Sequence, residues 1–567
     1  MVVERAVPSL PRHWRVLDRA PDDLFTHFAQ YPRFLVQLAY NRGATDAAAL
    51  GALLDGRDGP DPDPAGLPDL AAAVDRVGRA INRGERVAVY GDFDLDGVTG
   101  AAVLVQVLRG GGLDPIPYLP HRSEGHGLNI PAIAQLADQG VTLILSADCG
   151  TTALDEAAYA MRRGVDLIVT DHHACYGRLP PALALINPSR PECDGVFAGL
   201  SGAGVAFQLA RGLIRAGLTP GCAEGDLLDL VALGTVADVA PLTGLNRRYV
   251  REGLRHLASG QRAGLRALID LIQLGPEPLT PLTIGYQIAP RFNAAGRLDH
   301  AEKGFELLTT RDPARAVELA AELDRLNRER QAQLARAQAR LAELLAGEDP
   351  RLLPALVIED PDLPEPLLGL LAGRLAQEYG RPAVVIRWEA GECRASARAP
   401  AGYDLAAALA RCAGLLTRFG GHAQAAGFAV PTDRVGELRE RLVGIFGEGP
   451  PPGHPELTID LEVALRHHNW RIHAGIQRLA PFGPGNLEPV FLSRCVKVVQ
   501  CRRFGPDDRH LRLKLFDDHS TWEAVAFNRG DQLPASSRID LVYHLRDHHW
   551  NGERYLQLHV LDLAPAS

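Results

Sequence analysis

Four short apolar segments alternate with helical stretches between residues 86 and 186, and this alternation limits the fold more than any other feature. The apolar segments are Arg86–Tyr90, Thr142–Ser146, Asp166–Thr170 and Ala182–Ile186. Stretches such as Ala101–Arg109 and Leu154–Arg163, which lie between them, have the composition of helices. Because short buried strands joined by helical crossovers form parallel sheets, the sequence predicts an α/β domain here.

Acidic and histidine residues follow these segments, and a further apolar segment, Leu227–Val236, also ends beside an acid. The residues concerned are Asp92, Asp94, Asp96, Asp148, His172, His173 and Asp238. Alternate residues of an extended chain point to the same side, so the first three acids can converge. Open α/β sheets bind their ligands at the carboxyl ends of the strands. We therefore expect all seven side chains to meet at one site.

The composition of this set indicates a metal site. Carboxylates that lie close together repel each other unless a cation neutralises them. Asp and His without Cys favour Mn²⁺ or Mg²⁺, and about six ligands are enough for two ions that share a carboxylate. Two such ions are the usual arrangement for phosphoryl hydrolysis. The eight cysteines include no C-x-x-C pair, which argues against a zinc site and a disulfide framework.

Length and charge restrict the class of protein further. A chain of 567 residues is too long for one hydrophobic core, so we expect three or four domains. The net charge of −9 excludes a globally basic nucleic-acid binder but not a local basic groove. Because no segment approaches the ~20 apolar residues of a membrane span, we expect a cytoplasmic protein without a membrane partner. A monomer is the simplest arrangement.

The rest of the chain divides by composition. We predict an N-terminal helical segment and linker (1–68), the α/β domain (69–311), a connecting helix (312–346), a second α/β domain (347–446) and a β-rich domain (456–567). The connecting helix starts at Asp312-Pro313, contains no Gly or Pro until Gly347, and is polar enough to bridge two domains. The stretch 447–455 (GEGPPPGHP) is a linker. Alternating strands after it predict a β-barrel the size of an OB fold.

These ordered motifs resemble the DHH phosphoesterase superfamily, which is named for the triplet found here at Asp171, His172 and His173. Three further stretches, Ala289–Arg297, Gly420–Gly427 and Pro481–Pro489, resemble the single-stranded-DNA exonucleases of that superfamily. The resemblance implies that two Mn²⁺ or Mg²⁺ ions are held by Asp92, Asp94, Asp96, Asp148, His172 and Asp238. It also implies a catalytic set of His173, which contacts the scissile phosphate, with Asp148, which bridges the ions, and Asp92.

The resemblance also implies how the substrate is held. Arg291, Asn293 and Arg297 match a phosphate-contacting loop, and Arg122 matches a further substrate-facing residue. The residues that match the pocket for a terminal 5′ phosphate are Ser396, Arg398, Gly421 and His422, in which a Gly-Gly turn offers backbone N–H groups to an anion. The barrel residues expected to contact a single nucleic-acid strand are Arg502, Arg503, Phe504, Arg509, Arg512 and Trp522. Trp522 fits the barrel core equally well.

The activity implied is hydrolysis of single-stranded DNA from its 5′ end to mononucleotides, in repair and recombination, with a helicase or a single-strand-binding protein as a further partner. Two alternatives stay open: a phosphatase of the same superfamily for oligoribonucleotides or nucleotides, and a non-catalytic replication or repair scaffold. The chain departs from the family pattern in two places. Leu363–Pro366 stands where Trp-His-x-Gly is usual, and His126 stands where a tyrosine is usual.

Overall fold

A computed structural model describes residues 13–56, 59, 61–193, 195–274, 278–347, 349–448, 456–534, 536–550 and 552–566. The first twelve residues, part of the predicted linker before residue 68 and residues 449–455 of the predicted linker lie outside this range. The predicted domain boundaries stay predictions, and limited proteolysis around residues 56–68 and 447–455 would test them.

The α/β domain contains a five-stranded, fully parallel sheet. Its elements are α4 (Leu70–Arg83), β2 (Val87–Tyr90), α5 (Leu95–Gly110), β3 (Ile116–Tyr118), α6 (Ile130–Asp138), β4 (Leu143–Ala147), α7 (Leu154–Arg162), β5 (Asp166–Thr170) and β6 (Ala184–Ile186), preceded in the chain by β1 (His13–Val16) and α1–α3 (Asp22–His27, Arg33–Tyr40, Ala47–Asp55). The strand order is β3-β2-β4-β5-β6. The chain leaves β2 toward β3 and then returns to β4 on the other side, so the topology reverses between β2 and β4. Ligands of open α/β sheets bind at such a point.

Helices complete this domain. They are α8 (Gly202–Arg215), α9 (Leu228–Ala237), α10 (Gly244–Ala258), α11 (Ala263–Leu271), α12 (Pro281–Thr283), which a π-helical turn (Ile284–Ile288) joins to α13 (Ala289–Leu298), and α14 (Glu302–Thr309). The segment before Asp238 is therefore helix α9 and not a strand. It is apolar on all sides because it is buried between α5, α8 and α10. Asp238 therefore follows a helix, whereas Asp92 and Asp148 follow strands.

The connecting helix α15 (Pro313–Leu344) is confirmed. Asp312 caps it by accepting a hydrogen bond from Ala314 N at 2.9 Å. Its 32 residues span about 48 Å. Leu319 and Leu323 pack into the core of the first domain, whereas Ala337 and Leu341 pack into the second. Among the described residues, this helix and all the others lack either the length or the apolar character needed to cross a membrane.

The second α/β domain has a mixed sheet in the order β10-β11-β9-β8-β7. Its elements are β7 (Leu356–Asp360), α16 (Leu368–Tyr379), β8 (Ala383–Arg387), β9 (Glu392–Arg398), α17 (Leu405–Arg411), β10 (Arg418–Gly421), β11 (Ala425–Pro431) and α18 (Val435–Gly447). Arg394, Ser396 and Arg398 alternate along β9, so all three face the side of the sheet that α16 covers.

The C-terminal region folds into a closed five-stranded barrel, as predicted. Its elements are β12 (Glu456–Ile459), β13 (Leu461–Glu462), α19 (Trp470–Gln477), β14 (Phe491–Phe504), β15 (His510–Phe516), β16 (Thr521–Ala526), β17 (Arg538–Trp550) and β18 (Glu553–Pro565). Pairing of β14 with β17 closes the barrel. The N-terminal segment packs on this barrel: β1 pairs in parallel with β12, and Leu35, Leu38 and Leu50 share the barrel core. The sequence did not predict β1.

Candidate active site

The acidic run after β2 turns into a helix instead of staying extended. Asp94 caps α5, accepting hydrogen bonds from Asp96 N at 3.0 Å and Gly97 N at 3.2 Å. Asp96 lies in the first turn of α5 and accepts hydrogen bonds from Gly202 N at 2.6 Å and Ala203 N at 2.9 Å. The alternating extended geometry expected from the sequence was therefore wrong. The acids are oriented instead by backbone N–H groups of two helix N-termini.

Asp148 lies at the centre of the cluster. It follows β4 with a φ of 63°, a left-handed conformation that costs free energy for a residue other than glycine. Its Oδ1 lies 3.0 Å from His172 Nε2, and His172 Nδ1 lies 3.9 Å from Asp238 Oδ2. Three overlapping groups have ligand atoms within 4.8 Å of one another: Asp92, Asp94 and Asp148; Asp96, His172 and Asp238; and Asp148, His172 and His173. Asp148 and His172 each belong to two of these groups.

The electrostatics of this cluster fit divalent cations. Desolvation by the surrounding protein, with repulsion from Asp92 and Asp96, raises the pKa of Asp94 to about 6. Partial burial and the nearby Asp96 and Asp94 raise the pKa of Asp238 to about 8, and burial raises the pKa of Asp148 well above its usual range. Among the described residues, the buried Oδ1 of Asp92 has no hydrogen-bond partner, and the buried Oδ1 of Asp148 lies near His172 Nε2 without forming a hydrogen bond. A cation would relieve both the repulsion and the missing contacts.

The two histidines of the triplet have opposite electrostatics. Burial lowers the pKa of His172, which keeps its ring neutral and able to bind a metal. His173 Nδ1 lies 2.7 Å from Asp171 Oδ1, and this hydrogen bond raises the pKa of His173 to about 9. Asp171 is fixed in turn by Thr151 N, which donates to its Oδ2 at 2.9 Å. The His173 ring is therefore cationic at neutral pH and suited to contact a phosphate oxygen.

Asp171→Asn is expected to lower the pKa of His173 from about 9 toward its ordinary value of about 6.5, because the ion pair that favours the imidazolium is lost. At pH 8 only roughly 3 % of a ring with that ordinary pKa is protonated. Activity should therefore fall at least tenfold more at pH 8 than at pH 6. Histidine NMR titration of the metal-free protein measures the pKa, and Asp155→Asn, on the surface helix α7, is the control. An unchanged His173 pKa would contradict this assignment.

The half-buried arginines Arg122 and Arg297 lie near the acidic cluster, and Arg330 and Arg398 lie beside Arg297. Arg122 lies over the Phe93 ring at 4.9 Å from its centre, and Arg297 donates to the Pro366 carbonyl at 2.9 Å, which joins the two α/β domains. Burial and the nearby cations Arg122, Arg330 and Arg398 lower the pKa of Arg297 to about 10. Cations that repel each other in this way create a site for a polyanion.

The segment that departs from the family pattern lies beside these arginines. Glu365 forms an ion pair with Arg394 at 2.5 Å, and its negative charge favours the protonated form of Arg122. Pro366 uses its backbone carbonyl, as described, to accept from Arg297. At the other departure, His126 Nδ1 lies 3.0 Å from Asp92 Oδ2 and its ring packs on Phe93 at 4.3 Å. Both altered segments therefore contact predicted site residues.

The predicted terminal-phosphate pocket is assembled in part. Arg398 Nη1 donates to Ser396 Oγ at 3.3 Å, and a side chain at Gly369, in the first turn of α16, would lie 3.1 Å from Arg398 Nη2 and 3.2 Å from Ser396 Oγ. The Gly-Gly turn was predicted wrongly, because Gly421 ends strand β10 and the turn begins at His422. Both residues are exposed at the end of the β10–β11 hairpin.

Two residues of the predicted phosphate-contacting loop have other contacts. The loop is helix α13, so that prediction of its conformation was wrong. Arg291 Nε donates to Asp324 Oδ1 at 2.9 Å, which ties it to α15. Asn293 Oδ1 accepts from Leu95 N at 3.0 Å and so fixes the start of the acidic helix α5. Of the three, Arg297 alone lies with the arginines that face the acids.

Several site residues were not found from the sequence. Arg330 joins the arginine group from α15, Gly202 and Gly234 make room for the acids, and Asp171, known from the sequence only as a member of the triplet, positions His173. A side chain at Gly202 would lie 2.4 Å from Asp148 Cβ, and one at Gly234 would lie 2.5 Å from Asp96 Oδ1. The small-residue run Ser201–Gly204 was the available signal for the first of these.

A parallel sheet that gathers this acidic and histidine cluster at its carboxyl edge, opposite a second α/β domain, defines a phosphoesterase of the DHH class. Family models agree: the DHH family N-terminal domain matches residues 86–235, the DHHA1 domain matches 353–448 and the RecJ OB domain matches 459–562. The chain belongs to the RecJ family. It is 33% identical to the single-stranded-DNA-specific exonuclease RecJ of Bacillus subtilis, across 94% of this chain and 68% of that relative.

Other relatives and solved structures extend the likeness over almost the whole chain. The single-stranded-DNA-specific exonuclease RecJ of Escherichia coli is 31% identical, across 95% of this chain and 96% of the relative. The crystal structure of RecJ in complex with Mn²⁺ from Thermus thermophilus superposes with a TM-score of 0.85 and 30% identity, across 98% of this chain and 80% of that one. A structure of exonuclease RecJ bound to manganese matches at 36% identity and a TM-score of 0.59, across 68% and 96%.

Proposed function

We propose that this protein is a metal-dependent exonuclease that digests single-stranded DNA from its 5′ end and releases 5′ mononucleotides. One observation carries the proposal: a cluster of carboxylates and histidines on the first domain lies beside a group of arginines to which the second domain contributes Arg398. A phosphodiester that lies between them is next to the proposed metal site on one side and next to cationic groups that bind an anion on the other. The relatives that carry the RecJ name, which are single-stranded-DNA-specific exonucleases, support the choice of substrate.

The residues that would hold two divalent ions, Mn²⁺ or Mg²⁺, are Asp92, Asp94, Asp96, Asp148, His172 and Asp238. When bound, such ions activate water and neutralise charge on the phosphate. Among the protein's own groups, Asp148 belongs to two of the three clusters and so links the positions. The His173 imidazolium, held by Asp171, stabilises negative charge on a non-bridging phosphate oxygen. Arg122 and Arg297 orient the same phosphate from the opposite side.

The terminal 5′ phosphate is proposed to bind to Ser396 and Arg398. Both lie on β9 of the second domain and border the first turn of α16, whose N-terminus favours an anion. Arg398 is close enough to Arg297 to contribute to lowering its pKa, so this pocket adjoins the proposed cleavage site. Holding the chain end at a fixed place relative to the metal cluster makes each cut release one nucleotide.

The barrel has a surface suited to bind the part of the single-stranded DNA that extends beyond the cleavage site. The rings of Phe504, His510, Phe527 and His559 form a chain of contacts with centres 5.2 to 6.2 Å apart. Arg512 lies over Phe504 at 5.3 Å, and Phe527 is 51% exposed. Aromatic rings beside Arg bind single strands by stacking and charge. Trp522 packs against the barrel core instead.

Phe527→Ala is expected to reduce kcat/KM for a strand of about 20 nucleotides roughly tenfold, since stacking contributes about 1–3 kcal/mol per base. Cleavage of a 5′-phosphorylated dinucleotide should not change, because it does not reach the barrel. Trp470→Ala removes another half-exposed barrel aromatic, one paired with Arg554 outside this chain of rings, and serves as the control. Equal losses on both substrates would contradict a role in holding the strand.

The function itself is tested with a 5′-phosphorylated, 3′-labelled single strand and Mn²⁺, beside duplex DNA and an Asp148→Ala variant. We expect the single strand alone to shorten from its 5′ end, and the variant to be inactive. Cleavage of dinucleotides without cleavage of long strands would indicate a small-substrate phosphatase. Failure to cleave either substrate would indicate a scaffold.

The proposal includes three further points about the setting. We propose that the protein acts as a monomer, because its domains together supply both halves of the site, and that it works in the cytoplasm on strands prepared by a helicase or coated by a single-strand-binding protein. Size-exclusion chromatography with light scattering tests the first point, and activity on coated or unwound DNA tests the last.

A further inference from the structure

One barrel segment, Pro481–Pro489, has no part in the mechanism above, and we name it the docking loop. It is held firmly within the barrel. Asn486 Nδ2 donates to the Leu479 carbonyl at 2.8 Å and to the Pro481 carbonyl at 2.9 Å. Arg546 Nη2 donates to Glu488 at 2.5 Å. These hydrogen bonds fix the loop at both of its ends, so we expect it to be rigid.

The docking loop is also bound to the N-terminal segment. Arg42 Nε donates to Asn486 Oδ1 at 3.0 Å, and Arg42 Nη2 donates to the Leu487 carbonyl at 2.6 Å. Arg42 in turn pairs with Asp460 of the barrel at 3.3 Å. Because Asn486 is buried and uses both its amide ends, the loop has little freedom to move.

The other side of the loop contacts the first α/β domain just beyond Asp238. Leu242 N donates to the Pro484 carbonyl at 2.6 Å. A side chain at Gly483 would lie 2.6 Å from Leu242 Cδ1, so the loop backbone rests directly on this buried leucine. Arg247 strengthens the junction by donating to the carbonyls of Leu479 at 3.2 Å and Ala480 at 3.1 Å.

Asp238 depends on its backbone for its position. Asp94, Asp96 and Asp171 each accept hydrogen bonds that orient their carboxylates. Among the described residues no hydrogen bond to the Asp238 carboxylate is found, and its side chain is 32% exposed. It ends helix α9, and the next residue, Val239, has a left-handed φ of 61°. Backbone hydrogen bonds from Val239 N to the Val236 carbonyl at 3.2 Å and from Ala240 N to the Thr235 carbonyl at 3.1 Å close this turn, and the docking loop supports it from outside at Leu242.

We propose that the docking loop is a positioning element for the metal site: by fixing Leu242, it holds the turn that places Asp238 among its partner ligands. The barrel then has a second role besides holding DNA, which is to complete the metal site. This inference rests on the proposed function only in taking Asp238 as a metal ligand.

The test measures Mn²⁺ binding to the full chain by calorimetry, without DNA. Gly483→Ala places a methyl group against Leu242 and should weaken one Mn²⁺ site about tenfold, the usual size of effect for groups that orient metal ligands. The double variant Gly483→Ala with Leu242→Ala makes room for the methyl group and should recover much of that affinity. Gly444→Ala, at a helical glycine with open space around it, is the matched control.

A second variant approaches the loop from its other end. Glu488→Gln weakens the contact with Arg546 without touching the first domain, and should also weaken Mn²⁺ binding, by a smaller factor. Unchanged Mn²⁺ affinity in both folded variants would overturn the inference, even if cleavage of long strands falls. If the wild-type protein cleaves no nucleic acid but the variants still bind Mn²⁺ more weakly than the wild type, the positioning role is upheld and the proposed function is refuted.

Discussion

Replacing Asp148 with asparagine is expected to abolish nuclease activity and at the same time to stabilise the metal-free protein. Asp148 belongs to two of the three ligand groups and is the proposed bridging ligand, so its replacement is expected to weaken both metal positions. We expect kcat/KM to fall at least about a thousandfold, which corresponds to roughly 4 kcal/mol. Activity with saturating Mn²⁺, and Mn²⁺ binding by calorimetry, measure this loss.

The stabilisation follows from the sign of the pKa shift. A carboxyl group whose pKa is raised in the folded state destabilises the fold progressively as pH rises above its unfolded value of about 3.9. At pH 7.5 the raised pKa of Asp148 therefore lowers the free energy of unfolding of the metal-free wild type. The neutral amide of the Asp148→Asn variant does not have this effect. A gain of about 1 kcal/mol would raise Tm by roughly 2–4 °C. Added Mn²⁺ should then raise the Tm of the wild type but not that of the variant.

Asp360→Asn is the matched control for this experiment. Asp360 is also buried at the carboxyl end of a parallel strand, but it pairs with Arg340 at 2.8 Å and accepts from Asp362 N. Its replacement should therefore lower Tm and leave Mn²⁺ binding unchanged. If both variants shifted Tm in the same direction, the acidic cluster would not be the strained feature that its geometry indicates.

Gly202→Ala is expected to lower kcat/KM at least a hundredfold, although glycine 202 binds no ligand through a side chain. The added methyl carbon would lie 2.4 Å from Asp148 Cβ and 2.6 Å from its Cγ, closer than any non-bonded contact allows. The same residue donates its N–H to Asp96 Oδ2 at 2.6 Å, so a shift displaces two predicted ligands. Overpacking of this kind costs about 1–3 kcal/mol even where no ligand is involved.

Gly204→Ala, two residues along the same helix, separates this effect from a general response to alanine. A methyl group there would lie 3.3 Å from Leu200 Cδ2, the end of a flexible side chain that can move. Helix propensity favours alanine by about 1 kcal/mol, so this variant should be as stable as the wild type or more so. Mn²⁺ affinity reduced in both variants alike would show that α8 as a whole, and not the Gly202 contact, supports the site.

The sequence predicted those parts of the fold that depend on local pattern. The parallel strands, helix α15 and the barrel were found because their apolar periodicity and their Gly and Pro breaks lie within short stretches. Helix α9 was not assigned from the sequence, since an all-apolar segment of ten residues looks the same as a buried strand until its neighbours are known. The strand β3 was missed because it has three residues, one of them proline.

The site could be predicted where its chemistry lies in acidic and histidine side chains, and not where it depends on packing. Asp94, Asp148 and His172 are conspicuous in sequence and meet in space. Gly202 offers no chemical group, and its importance follows only from the proximity of Asp148. Arg330 is one arginine among many on a polar helix, and only the folded chain brings it to Arg297.

The pairing of β1 with β12 affects the order in which the protein can be made. His13–Val16 finds its partner about 440 residues later in the chain, a delay of roughly 20–90 s at 5–20 residues per second. During that time Leu35, Leu38 and Leu50 have no barrel to cover them, so the emerging N-terminus offers a binding surface to chaperones on the ribosome. A shortened protein made without the barrel should therefore also omit residues 1–56, or it will expose the same leucines permanently.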